Sequence, residues 1–363
     1  MRHPAAIPGW PSPKAAAVAS PFSPNSGEPA MHPRLCAFRP VVEILEDRCT
    51  PSGVTGSFAH GVWTLTGDGA SYDITVNSAG TPGSFAVTGN NTTVTGVTNP
   101  TGVKAIVYDL GAGNDKVTMN TNAQPIRLKA LTFLGGDGDN ALIANHLTVN
   151  TNLRVTNGTG FDATLLTDFR VKGNVFINDN DGGSSTRFET DSSSFGFNSI
   201  RGNLTILNGA GADNVDVADT NVGGNIINSN GAGGGGLAGY FNLYNVFQTA
   251  ARAVIGGNVK VTFVDGDTPV GNGIWDTRVR GNVTFNNGSG ASKTSFDGYV
   301  TTVPVKIDHN LTITGSGSNK VSVGLQYSKT GMIVGGNLLI DLGKPANPLE
   351  AFHLVVHGTT TIE

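Results

Sequence analysis

The chain has 363 residues, 38% hydrophobic and 14% charged, with 51 glycines and a formal net charge of −4. That balance gives no basic footprint for nucleic acid, and no stretch approaches the ~18 consecutive apolar residues of a membrane-spanning helix. The only cysteines, Cys36 and Cys49, leave residues 50–363 without a possible disulfide. Residues 1–38 carry eight prolines and lack the apolar run of a standard secretory signal, so they read as a disordered leader. A second methionine, Met31, is an alternative start.

The next segment, 39–53, contains RPVVEILEDRCTPS. Its Leu45-Glu46-Asp47-Arg48-Cys49-Thr50-Pro51-Ser52 run resembles the "RPxLExLEDRxTPS" motif that opens large extracellular and cell-envelope proteins of planctomycete bacteria. The resemblance implies export or attachment to the cell surface, and nothing about the domain downstream of it. The residues alone also read as a short amphipathic helix stopped by Pro51. Residues 54–104 alternate as strands and hairpin turns and are expected to cap the first coil of the repeat region.

From about residue 105 the chain repeats. Eight segments align on Asn152, Asn174, Asn203, Asn225, Asn258, Asn282, Asn310 and Asn337, spaced 22, 29, 22, 33, 24, 28 and 27 residues apart. Val or Ile stands three before each asparagine, and Leu, Val or Ile stands one after it. Gly precedes it directly in six segments, replaced by Thr151 and His309 in the others. Apolar residues at +1 and +3 describe a strand with one buried face, and Gly-Asn suits a sharp left-handed bend before it. A Gly-rich turn recurs downstream, as in Gly158, Gly209, Gly231, Gly288 and Gly343 at +6. The pattern predicts an all-β fold, a parallel β-helix (β-solenoid) with irregular coils of 22–33 residues over 105–363. Stacking would place the asparagines ~4.8 Å apart, close enough for their amides to form a hydrogen-bonded ladder. This resembles the asparagine ladders of the pectate-lyase-like class, and that resemblance implies a right-handed, single-stranded helix. The repeat fits Thr359 at the ladder position and then stops one strand into a coil, so truncation at the C-terminus is expected.

Three kinds of chemistry are candidates. Calcium is the first, because GGDGDNALI and LGAGNDKVT resemble the nonapeptide of calcium-binding β-rolls, and Asn178-Asp179-Asn180-Asp181-Gly182 offers the oxygen ligands a hard cation prefers. The residues concerned are Asp115, Asp137, Asp139, Asp179, Asp181 and Asp213. The competing reading is a tight turn that simply wants Gly and Asp. Polysaccharide cleavage is the second, suggested by Lys172, Arg201 and Arg280 at outward positions and by Asp276, Arg278 and Arg280 in alternation. Such charges are more often only solvated, and no lyase or hydrolase signature occurs, so no catalytic residue is assigned. A glycan platform at Tyr240, Phe241, Tyr244 and Phe247 is the third, set against a short amphipathic helix packed on the solenoid.

Together these point to a non-catalytic, secreted or surface-attached structural or adhesive module. No cofactor is required, and the expected partner is an extracellular polysaccharide or cell-surface glycan. The alternative is a carbohydrate-active β-helix enzyme.

Overall fold

The structure, a computed structural model, describes residues 53–120, 125–191, 198–237, 239–245, 252–298, 304–324, 330–343 and 349–363. The leader and the segment up to Ser52 lie outside the described residues. The compact unit Cys49–Glu363 is all-β: its described residues contain strands and turns and no helix.

One coil shows the plan. Leu147–Val149 lies in what we call sheet 3, Leu153–Asn157 in sheet 1 and Asp162–Thr167 in sheet 2. After a corner at Asp168 the chain returns to sheet 3 as Arg170–Val171. Each strand pairs in parallel with its counterpart one coil on: Val149 with Val171, Leu153 with Val175, and Leu166 with Phe188. Sheet 3 stacks ten strands, and Val259–Trp275 pairs with both of the other sheets as it rounds their shared corner. The coils therefore form a parallel β-helix.

The N-terminal residues fold differently. Gly53–Ala59 and Val62–Thr66 form an antiparallel hairpin, as do Asp73–Ser78 and Phe85–Gly89. Yet Val62–Thr66 and Asp73–Ser78 also run parallel to Ala105–Asp109 and Lys116–Asn120, so they serve as the first rungs of sheets 1 and 2.

Alternation along each strand fills the interior. Leu153, Val175, Leu204, Ile226, Val259 and Val283 form one apolar column on sheet 1, and Val149, Val171, Ile200, Val222 and Ile255 form another on sheet 3, all essentially fully buried. Burying each such side chain is worth about 1.5–3 kcal/mol, and the columns explain why the repeat keeps apolar residues at −3 and +1; at +3 the exception is Asn228, which is buried all the same.

The asparagine ladder exists; the expected amide–amide pairing occurs at Asn225–Asn203 (3.4 Å) and Asn282–Asn258 (3.2 Å), and the bond repeated along it runs from main chain to side chain. The backbone N–H of Asn174 donates to Asn152 Oδ1 (2.8 Å), that of Asn203 to Asn174 Oδ1 (2.8 Å) and that of Asn225 to Asn203 Oδ1 (2.8 Å). Asn258, Asn282, Asn310, Asn337 and finally Thr359 continue it at 2.8, 2.7, 3.2, 2.8 and 2.9 Å. The ladder runs along an outer corner, where it satisfies a main-chain donor that no strand partner reaches.

The preceding glycine is also required for a reason other than the bend. None of these glycines has positive φ. A Cβ on Gly224 would lie 2.3 Å from Asn203 Oδ1, and one on Gly257 would lie 2.4 Å from Asn225 Oδ1. The nearest obstacle is the asparagine of the coil below, with that coil's main chain next at 2.8–2.9 Å. Both exceptions agree with this. Thr151 sits above Lys129-Ala130, where no asparagine stands, and His309 sits at the rung whose ladder bond is the longest, 3.2 Å. Gly257→Ala should therefore destabilise the protein by about 1–3 kcal/mol. Combining it with Asn225→Ala, which removes the obstructing oxygen, should cost less than the two changes summed. A double-mutant cycle by urea denaturation checks the sign of that coupling.

Candidate functional site

The glycine-rich corner between sheets 1 and 2 carries the acids considered for calcium, and the structure divides them into two rows. Asp137, Asp139 and Asp181 are exposed and act as further ladder residues. Asp137 Oδ1 accepts from the Thr159 N–H (2.9 Å), Asp139 Oδ1 from the Phe161 N–H (2.8 Å) and Asp181 Oδ1 from the Ala210 N–H (3.1 Å). Hydrogen bonding holds the Asp137 carboxyl below the usual carboxylate range. The corner can coil this tightly because glycines with positive φ stack on one another. A Cβ on Gly160 would meet Gly138 O at 2.3 Å, and one on Gly211 would meet Gly182 O at 1.9 Å.

Asp115, Asp179 and Asp213 instead point inward and are at most 2% exposed, together with Asp162, Asn140, Asn157 and Ser184. Asp162, Ser184 and Asp213 occupy one register position on three successive coils. Asp115 Oδ1 accepts from the Tyr72 N–H (2.9 Å), Asp162 Oδ1 from the Asn140 N–H (3.0 Å) and Asp179 Oδ1 from Asn157 Nδ2 (2.8 Å). Among the described residues Asp162 Oδ2 has no hydrogen-bond partner, while the Ser184 hydroxyl lies beside Asp179 and Asp213 and lowers both carboxyls, by less than burial raises them. Burial pushes Asp115, Asp162 and Asp213 up to about 7 and Asp179 up to about 6. The six acids thus form two rows with opposite environments. Among the described residues no group of three or more Asp, Glu, His or Cys side chains is placed to hold a metal ion.

The aromatic segment is a strand, Tyr240–Tyr244 in sheet 2, where a short helix was the competing expectation. Period-two alternation therefore splits the proposed platform. Phe241 is a fully buried core residue and leaves it, whereas Tyr240 and Tyr244 face outward, half-buried. Phe247 lies outside the described residues. Trp275, missed in the sequence, joins them. Leu243 pairs with Ile274, so the next residue on each strand, Tyr244 and Trp275, neighbour each other on the outer face. The indole lies over Gly273, where a Cβ would come within 2.5 Å of the ring, so this glycine makes room for a flat-lying tryptophan.

Polar groups frame these rings. Tyr240 donates its hydroxyl to Asp216 Oδ2 (2.9 Å), Asn242 Nδ2 donates to Asp216 Oδ1 (3.1 Å), and Arg187 pairs with Glu189 at 3.1 Å. Burial, then the Asp216 carboxylate, pushes both tyrosines up to about 12, so they stay neutral hydroxyls across the physiological range. The arrangement offers ring faces, hydroxyls and an oriented carboxylate on one flat surface.

Asp276, read in the sequence as alternating outward with Arg278 and Arg280, is instead a buried corner residue with φ 49°. Among the described residues no helix is long and apolar enough to cross a membrane. Compared with protein families, curated proteins and solved structures, the chain matches none of them. The class of the protein thus rests on the fold, a β-solenoid.

Proposed function

We propose that the protein is a non-catalytic adhesive solenoid of the cell exterior, secreted or surface-attached, that holds glycans on the outer face of sheet 2. The observation that carries this is the Tyr240, Tyr244 and Trp275 surface, assembled from two successive coils around Asp216 and Asn242. A pyranose ring presents an apolar C–H face that packs on an aromatic ring, while its hydroxyls need directional partners at the edge. A rigid stack of short coils holds both at fixed spacing without an ordering cost on binding. The export reading is supported by the resemblance of residues 39–52 to a cell-envelope motif.

A glycan array followed by titration tests it. Trp275→Ala and Tyr244→Ala should each weaken binding about tenfold or more, since buried aromatic anchors dominate such surfaces. Release of unsaturated or reducing-end sugars from a bound polysaccharide would overturn the non-catalytic reading in favour of a β-helix enzyme.

A further inference from the structure

A second surface, of different chemistry, runs along sheet 3 and its edge toward the ladder. Register places Lys172 and Arg201 on adjacent coils, because Val171 pairs with Ile200. Asn150 stands one coil below Lys172, and Lys129 and Lys104 occupy the two coils beneath, joined by main-chain bonds from Thr151 to Lys129 and from Lys129 to Lys104. Arg127 stands outward beside Lys129 on the same sheet. All five cations are exposed. Among the described residues none of the five has a carboxylate within salt-bridge reach.

The later coils of the same sheet behave differently. There Asp308 takes both Arg278 (2.7 Å) and Lys306 (3.2 Å), so the positive charge is locally neutralised. The unneutralised stretch therefore belongs to the first half of the sheet, on a protein whose net charge is −4. Like charges on neighbouring strands disfavour the fold, and coils ~4.8 Å apart lie within one Debye length of each other. A bound polyanion would turn this repulsion into attraction.

We infer that this row is a binding track for a linear acidic polysaccharide, one carrying carboxylate or sulfate groups at regular intervals along its length. The shape favours a sugar polymer over a nucleic acid. The outward column beside the row runs Arg127, Thr148, Arg170 and Ser199, each charged or small and polar. No aromatic side chain stands outward on sheet 3 between Arg127 and Arg201 among the described residues, so unpaired bases would find nothing to stack on. The face is a flat strand surface, with no helix or ribbon to enter a duplex groove. The track is separate from the aromatic surface on sheet 2, so either can fail without the other.

The test is fluorescence-anisotropy binding of the full chain to a labelled linear polyuronate, with size-matched neutral dextran and a single-stranded oligonucleotide beside it. The polyuronate should bind, the dextran should not, and affinity should fall steeply with added salt. Lys172→Glu with Arg201→Glu should weaken polyuronate binding tenfold or more, while Lys260→Glu with Lys293→Glu, on the other two sheets, should change it less than twofold. Should the glutamate pair fail to fold, Lys172→Gln with Arg201→Gln should still lose several-fold. Unchanged binding in the folded track variant, equal binding of dextran, or tighter binding of the oligonucleotide would each overturn the assignment.

Discussion

Lowering the pH from about 8 to about 4 is expected to stabilise this protein, the reverse of ordinary acid denaturation. The cause is the inner acidic row, where burial raises Asp115, Asp162 and Asp213 to about 7 and Asp179 to about 6. Asp179 adds repulsion to both Asp162 and Asp213. A carboxyl whose pKa is higher in the folded state binds its proton there more tightly than in the unfolded chain. The stability it contributes is complete below the unfolded value of 3.8 and is lost as pH rises through 6–7. Four such groups make the change on the order of several kcal/mol. The exposed Asp137 works in the opposite sense, but its contribution is lost only below the usual carboxylate range. Urea melts at several pH values give the measurement. Asp162→Asn with Asp213→Asn should flatten the profile, and a wild-type midpoint that is constant or falls on acidification would refute the assignment of buried, neutral carboxyls.

Phe285→Ala is expected to cost about 3–5 kcal/mol. Phe285 is fully buried and meets two other rings edge-on, Phe241 at 6.4 Å and Phe296 at 5.6 Å between centroids. These rings come from sheets 1 and 2 on nearby coils, so the hole would open between coils as well as within one. A solenoid coil packs only on its neighbours, so no distant contact compensates. Thr284→Ala, one residue away and facing outward, should change stability by no more than about 0.5 kcal/mol. Equal losses at the two positions in urea denaturation would refute this account of the core.

Much of the fold was legible because the ladder position repeats with apolar residues in fixed register around it. The interiors of sheets 1 and 3 follow from that alone. What escaped was the corner between sheets 2 and 3. His146, Asp168, Asp219, Asp276 and His353 all have positive φ there, and each lies six residues before a ladder position. Asp and His both tolerate that conformation better than most residues, so the corner has no single letter to align. The aromatic face was legible only in part. Tyr240 and Tyr244 stood out as aromatics, but their spacing suggested a helix, and the strand period moved Phe241 into the core. Trp275 was hidden because the pairing of Leu243 with Ile274 spans a whole coil of the solenoid. The acids posed a similar problem: Asp137 and Asp213 occupy similar Gly-rich wording and differ only in which side of the chain they face.

The ladder bonds also give the stack a direction. Every asparagine side chain accepts from the main chain of the next coil, from Asn152 to Thr359. A newly made coil thus leaves its amide oxygen waiting for a donor that has not yet been synthesised. Growth from the N-terminus adds each coil onto a finished template at a sequence distance of 22–33 residues. A chain with these contacts can fold in step with its own synthesis, one turn at a time. At the ladder itself, a cut at the far end leaves a solvated side-chain acceptor, whereas a cut at the near end leaves a main-chain N–H without its asparagine.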